Sequence, residues 1–157
     1  MTKEIIARYS ILKVGGWVVG VALGCAWLYL DGASRGWRSR PGPDWLLFPA
    51  AVVGSVVLLT YSVALVLTLV RSRGAAIARV DEQFVLYFPF STKRVALSGA
   101  MVSATEHVVF KITAITAQQV TIHRPGQTDL NFRTGLLQEK ASVIAKRMSA
   151  LIQTGAR

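Results

Sequence analysis

The stretch Trp45–Val70, WLLFPAAVVGSVVLLTYSVALVLTLV, decides the fold because it carries no charged side chain. An α-helix rises about 1.5 Å per residue, so this stretch is long enough to cross the roughly 30 Å hydrocarbon core of a bilayer. A buried core helix of a soluble protein would need far more surrounding chain than 157 residues provide. The stretch therefore predicts a transmembrane helix over residues 45–70.

A second apolar stretch lies upstream. Residues 14–30, VGGWVVGVALGCAWLYL, also lack charge, but alone they are short for a complete crossing. The preceding segment adds apolar surface, while Lys3, Arg8 and Lys13 can extend toward lipid headgroups. We therefore expect one helix over residues 5–30. Together the two spans predict a membrane hairpin over residues 1–73, with a connecting loop at 31–44.

The basic residues near the span ends predict the orientation of this hairpin. With two spans, both termini lie on the same side of the membrane. That side holds Lys3, Arg8, Lys13, Arg71 and Arg73, whereas the loop holds Arg35, Arg38 and Arg40 together with Asp31 and Asp44. Because basic residues accumulate on the cytoplasmic side, we expect both termini in the cytoplasm and an external loop.

Small residues recur at helical spacing in both spans. The first span carries Gly16, Gly20 and Gly24 on one face, and the second carries Ala50 and Gly54. Small residues at this spacing allow two helix backbones to approach closely in lipid. Two interpretations stay open: the two helices pack against each other through these faces, or the faces dock on another membrane protein or a second copy.

Residues 74–157 differ in composition and predict a small water-soluble domain. Short β-rich stretches occur at 76–80, 84–88, 93–97, 101–110, 113–123 and 129–133, which predicts five or six antiparallel strands. Apolar residues then recur at helical spacing over 136–152, with Thr134 as the expected N-cap. This order predicts an α+β domain in which a C-terminal amphipathic helix closes an antiparallel sheet.

The order of elements resembles that of a known class of membrane protein. The relevant residues are the strand-turn-strand segment from Ile77 to Phe88, the strand Arg94–Gly99, the hairpin Thr121–Arg133 and the helix over 136–152. With two N-terminal spans, this pattern resembles bacterial two-transmembrane proteins with a C-terminal PH-like (pleckstrin-homology-like) domain. The resemblance implies a binding or scaffolding domain in the bacterial inner membrane, and not a catalyst.

The residues themselves indicate no enzyme chemistry. The sequence shows no phosphate-binding loop, nucleophile elbow, zinc-ligand spacing or dinucleotide fingerprint. Glu106 and His107 are adjacent, so on a strand their side chains face opposite ways. We therefore predict no catalytic, cofactor-binding or metal-binding residue. The net charge of +10 is scattered along the chain without a long basic run, so nucleic acid is not an expected partner.

These observations lead to a functional expectation. The chain is expected to be a non-enzymatic membrane-anchored adaptor or accessory subunit that binds a protein partner or the inner leaflet. Arg71, Arg73, Lys93 and Arg94 are the basic residues expected to contact anionic lipid headgroups or that partner. One alternative is a self-associating structural membrane protein. A second alternative is a component of a larger membrane enzyme or transport complex.

Overall fold

A computed structural model describes residues 3–35, 44–110 and 115–155 of the chain. Within these residues the protein forms seven β-strands and three α-helices. In chain order they are β1 (Lys3–Arg8), α1 (Ile11–Arg35), α2 (Asp44–Ser72), β2 (Ala75–Val80), β3 (Gln83–Tyr87), β4 (Thr92–Ala96), β5 (Met101–Phe110), β6 (Ile115–His123), β7 (Leu130–Arg133) and α3 (Ala141–Gly155). The α+β class expected from the sequence is confirmed.

Two of the helices are long and apolar enough to cross a membrane. Their qualifying stretches are Ile11–Gly32 in α1 and Phe48–Ser72 in α2. The helix predicted over residues 45–70 therefore has nearly the expected bounds. The loop was predicted at residues 31–44, but residues 31–35 belong to α1, which continues to Arg35. Residues 36–43 of the predicted loop lie outside the described residues.

The N-terminal segment differs from the prediction. The helix expected over 5–30 begins instead at Ile11, and Lys3–Arg8 forms a strand that pairs antiparallel with β2. Ile6 and Ala7 are buried in the domain core. The segment therefore packs against the β-domain instead of lying at the lipid interface. Apolar content alone does not separate a strand from a helix, so the sequence could not reveal this pairing.

Two short connections join the helices to the sheet. Residues 9 and 10 link β1 to α1, and Arg73 and Gly74 link α2 to β2. Both Arg73 (φ 57°) and Gly74 (φ 79°) adopt the left-handed conformation that commonly ends a helix. The amide of Tyr9 donates to the carbonyl of Gly74 at 2.9 Å, so the two connections lie side by side. The helical hairpin is thus inserted between the first two strands of the sheet.

The strands form two antiparallel sheets. The first has the order β1-β2-β3-β4 and the second has the order β5-β6-β7. This order leaves β4 and β7 as outer strands. Between the sheets, the fully buried side chains include Ile77, Phe84, Leu86, Val120 and Ile122. Alternating burial along β7, with Leu130 and Phe132 inward, shows the two-residue period expected of a half-buried strand.

The C-terminal helix is shorter than predicted. It begins at Ala141 instead of residue 136, because residues 136–138 extend along the end of β1. Leu137 forms an antiparallel bridge with Tyr9, and the amide of Ser10 donates to the carbonyl of Leu136 at 2.9 Å. The expected N-cap Thr134 instead hydrogen bonds the carbonyl of Gln118 through both its amide and its hydroxyl, each at 2.9 Å.

The helix α3 covers the core from one side. Ile144 and Met148 are fully buried, and they belong to the same apolar cluster as Phe84 and Ile122. Their spacing of four residues places both on one face of the helix. The cluster also includes Leu65 of α2, so the core of the β-domain continues onto the helical hairpin.

Candidate functional site

A cavity of about 820 Å³ lies where the helical hairpin meets the β-domain. We call it the junction cavity. One wall comes from Trp17, Tyr61 and Leu65 on α1 and α2, and the other comes from residues 88–91 and 128–133 next to the outer strands β4 and β7. The cavity therefore exists only when the hairpin and both sheets are assembled.

The connection between β3 and β4 is held against α2 by a threonine. We call residues 88–91 the β3–β4 turn, which is closed by a hydrogen bond from the amide of Phe88 to the carbonyl of Ser91 at 2.8 Å. The Thr68 hydroxyl lies 3.2 Å from the carbonyl of Phe88 and 3.1 Å from that of Pro89. It also lies 2.8 Å from the carbonyl of Ala64. Its single proton is thus shared among three acceptors that join the turn to the helix.

Aromatic rings line the apolar wall in a continuous series. The ring centroids of Trp17 and Tyr61 are 6.3 Å apart, and those of Tyr61 and Phe90 are 6.0 Å apart. On the domain side, Phe88 and Phe132 are 4.9 Å apart and tilted. These separations are typical of favourable aromatic pairs. Phe90 keeps 68% of its surface exposed, so this series ends in an uncovered ring next to the apolar helices.

Tyr9 lies at the boundary of the junction cavity as a neutral hydrogen-bond donor. Its phenolic oxygen donates to the carbonyl oxygen of Tyr87 at 2.5 Å. Burial, together with the nearby Tyr61 phenol, raises the pKa of Tyr9 well above its ordinary value. Desolvation disfavours the phenolate, so the hydroxyl keeps its proton and its bond to β3.

Three cations, Lys93, Arg124 and Arg133, are among the residues that line the junction cavity. The Arg124 guanidinium donates to the carbonyl of Thr128, but its Nε atom is buried and has no partner among the described residues. Asp129 also lines the cavity, and its carboxylate lies 2.8 Å from Nδ1 of His123. Three basic side chains and one carboxylate therefore give the described lining of the cavity a net positive charge.

The structure separates the four basic residues that the sequence suggested as surface contacts. Lys93 lines the junction cavity, whereas Arg94 lines a smaller pocket with Pro125 and Gln127. Neighbouring side chains of a strand point to opposite faces, which explains the split. Arg71 and Arg73 are exposed at the end of α2, and Arg71 lines a separate depression beyond the β3–β4 turn.

Sequence reasoning missed two of the three cations in this site. Arg124 opens the turn after β6 and Arg133 ends β7, far from Lys93 along the chain. The turn sequence Arg124-Pro125-Gly126-Gln127 was a visible signal that β6 and β7 form a hairpin. No local pattern could show that this hairpin lies opposite β4, because that depends on how the two sheets pack.

The glycine stripe does not pack against the second helix. An added Cβ at Gly16, Gly20, Gly24 or Gly54 would meet no atom within 4 Å, and Ala50 is exposed. The more buried positions of α1 follow another face: Val14, Val18, Val21, Cys25 and Leu28. Packing of the two helices through the glycine face is therefore wrong. Docking of that face on another protein stays a prediction.

The junction cavity combines aromatic walls with basic side chains. Within residues 3–35, 44–110 and 115–155, no three His, Cys, Asp or Glu side chains converge to form a metal site. The pair His123 and Asp129 is about half exposed, at 47% and 48%. The cavity offers aromatic walls and a cationic mouth, which suit a ligand with an apolar part and an anionic part. Comparison with protein-family models, characterised proteins and solved structures finds no match to this chain.

Proposed function

We propose that this chain is a non-enzymatic, membrane-anchored adaptor or accessory subunit whose β-domain acts at the membrane surface. Support comes first from the surface of the helices. In the most apolar stretches of α1 and α2, only 11% and 22% of the residues are buried. A core helix of a soluble protein would be mostly buried, so these exposed apolar faces call for lipid around them.

The β-domain is proposed to be PH-like. Antiparallel sheets followed by a C-terminal helix that packs on the core support this proposal, because the resemblance rests on that order of elements. The strand β1 belongs to the first sheet, although it precedes the helical hairpin in the sequence. The hairpin would then interrupt the domain between its first and second strands, instead of preceding it.

The proposal depends above all on the short connections and hydrogen bonds that join the β-domain to the helical hairpin. Two-residue connections hold both helix ends, and the Lys13 ammonium donates to the carbonyl of Leu137 at 2.6 Å. Thr68 ties the β3–β4 turn to α2 as well. A domain fastened in this way cannot extend into the aqueous phase on a tether. It would meet its partner at the membrane boundary.

The proposed location is the bacterial inner membrane, with the domain and both termini in the cytoplasm. Lys13, Arg71 and Arg73 lie at the helix ends next to the domain, which is the side that basic residues favour. Arg71 and Arg73 are exposed there and can contact anionic headgroups or a partner's acidic surface.

Affinity isolation of the tagged full chain from native membranes in mild detergent tests this proposal. We expect another membrane protein to be enriched with it by mass spectrometry. Arg71→Ala should reduce the recovery of that partner, because it removes a charge at the membrane boundary. Lys146→Ala is the matched control, since it removes the same charge from an exposed position of α3 and should leave the recovery unchanged. Isolation of the chain by itself in several detergents would contradict the adaptor function.

Self-association is the second candidate function, and the free glycine face of α1 favours it. Gly16, Gly20 and Gly24 remain uncovered by α2, so they are available to a second copy of the chain. A crosslinked dimer in native membranes, with no other protein enriched, would support this function over the adaptor.

A further inference from the structure

We infer that the junction cavity binds one anionic phospholipid from the adjoining leaflet. Its phosphate would lie at Lys93, Arg124 and Arg133, and its acyl chain would lie along Trp17, Tyr61 and Phe90. The inference rests on the membrane anchoring of the proposed function, and it adds a ligand class and a site to it.

The position of the cavity along the helices fits a lipid. Phe48–Ser72 spans about 37 Å at 1.5 Å per residue, which exceeds the hydrocarbon core of about 30 Å. The last turns of α2 therefore reach into the headgroup layer. Tyr61 precedes Ser72 by about three turns, or roughly 16 Å, so its ring lies at the depth of the acyl chains. The lipid headgroup would therefore lie near the basic residues, and its acyl chain would lie near the aromatic residues.

The charges at the mouth select an anionic headgroup. The guanidinium and ammonium groups there suit a phosphate, for which arginine supplies paired donors and lysine a point charge. The carboxylate of Asp129 is held by His123 at 2.8 Å, which leaves the cations in excess.

The size and lining of the cavity require an apolar part in the ligand. Its volume of about 820 Å³ falls within the roughly 300–1,000 Å³ typical of small-molecule sites. The aromatic series from Trp17 to Phe90 is a largely apolar wall, which suits an acyl chain better than a free sugar phosphate. A headgroup with the upper part of one chain fits this lining, while the remainder of the lipid stays in the bilayer.

Native mass spectrometry of the full chain in a non-ionic detergent tests the inference. Phosphatidylglycerol should remain bound as a single molecule, whereas phosphatidylcholine and sn-glycerol 3-phosphate should be retained at least tenfold more weakly. The phosphatidylcholine arm tests the charge, and the glycerol phosphate arm tests the need for a chain. Equal retention of the two lipids, or equal retention of glycerol phosphate, would overturn the inference.

Charge variants locate the headgroup. Each basic residue near anionic headgroups contributes about 1 kcal/mol, which is about fivefold in affinity. The double variant Lys93→Ala/Arg133→Ala should therefore weaken phosphatidylglycerol binding about 25-fold. Lys146→Ala removes a charge of the same kind from an exposed position of α3 outside the cavity and should change binding by less than twofold. An equal loss in both variants would show that the lipid is held by general surface charge, which overturns the site.

A filling variant tests the cavity without altering charge. Gly135 lines the cavity, and an added Cβ there would meet no atom within 4 Å. Gly135→Leu should thus fold normally, with an unchanged melting temperature in detergent, yet lose the bound lipid. Retention of the lipid by this variant would contradict binding in the cavity. Partner recovery in the affinity isolation is measured separately, so normal recovery without lipid binding would reject only this inference.

Discussion

The phenolic oxygen of Tyr9 lies 2.5 Å from the carbonyl oxygen of Tyr87, so the end of β1 is bonded directly to the end of β3. These residues lie on opposite sides of the helical hairpin in the sequence. Tyr9 is 5% exposed, and burial raises the pKa of its hydroxyl. The hydrogen bond therefore joins two ends of the first sheet. One is the end of β1, after which the chain continues into α1, and the other is the end of β3, after which the β3–β4 turn begins.

This relationship predicts a loss of stability at alkaline pH. An unfolded tyrosine ionises near pH 10, whereas Tyr9 in the folded protein stays protonated to higher pH. Above pH 10 the unfolded state then binds fewer protons than the folded state, so the free energy of unfolding falls by about 1.4 kcal/mol per pH unit. Tyr9→Phe should be about 1 kcal/mol less stable at pH 7 but should show a shallower alkaline decline. Thermal unfolding in detergent between pH 7 and 11 measures both. Parallel declines would contradict the prediction.

A second prediction concerns the attachment of the β3–β4 turn to α2. Thr68→Val keeps the side-chain shape but removes the hydroxyl that reaches the carbonyls of Phe88 and Pro89. We expect about 1 kcal/mol of destabilisation and faster proteolysis next to Ser91. Thr60→Val makes the same change at an exposed position of α2 and is the matched control. Equal proteolysis rates in the two variants would show that the threonine does not hold the turn.

A third prediction uses the free glycine face. A Cβ added at Gly20 meets no atom of this chain within 4 Å, so Gly20→Leu should keep the melting temperature of the wild type. If a second copy docks on this face, the leucine separates the backbones and crosslinked dimers in native membranes should fall severalfold. Ala26→Leu is the control, because Ala26 is also exposed on α1 but lies about 120° around the helix from Gly20. A comparable fall in both variants would point to a general effect of bulk.

A fourth prediction follows from the position of β1. Replacing residues 11–72 by a short glycine-containing turn joins Ser10 to Arg73, whose neighbours Tyr9 and Gly74 are already bonded at 2.9 Å. This variant should retain a folded β-domain, which well-dispersed amide signals in NMR spectra would show. The fragment 74–157, the domain bounds expected from sequence, should be largely unfolded because it lacks the buried Ile6 and Ala7. A folded 74–157 fragment would show that β1 is dispensable.

The sequence was most informative where one segment determines its own structure. The apolar run that forms α2 and the hairpin of β6 and β7 both appear nearly where periodicity and turn residues predicted them. Each depends on local properties. For α2 the property is the length of the uncharged run, and for the hairpin it is a Pro-Gly turn between two stretches in which apolar and polar residues alternate.

Features that depend on distant partners were missed or misplaced. Ile5 and Ile6 were predicted to start a helix because their partner, β2, lies beyond the whole hairpin. Leu136 and Leu137 were predicted to form the first turn of α3, but they belong to an extended segment that bonds to Ser10 and Tyr9. The junction cavity combines these long-range relationships, so its cations could not be grouped from the sequence.

The insertion of the hairpin between β1 and β2 has a consequence for how the protein is made. If α1 and α2 both cross the bilayer, β1 is synthesised before either helix, and its partner strand emerges only after both have been inserted. A chain that crosses once instead of twice leaves β1 and β2 on opposite sides of the bilayer, where they cannot pair. The four-stranded sheet can therefore form only after both helices have crossed the bilayer. A chain inserted with a single crossing would keep an unpaired strand edge, which quality-control proteases can attack.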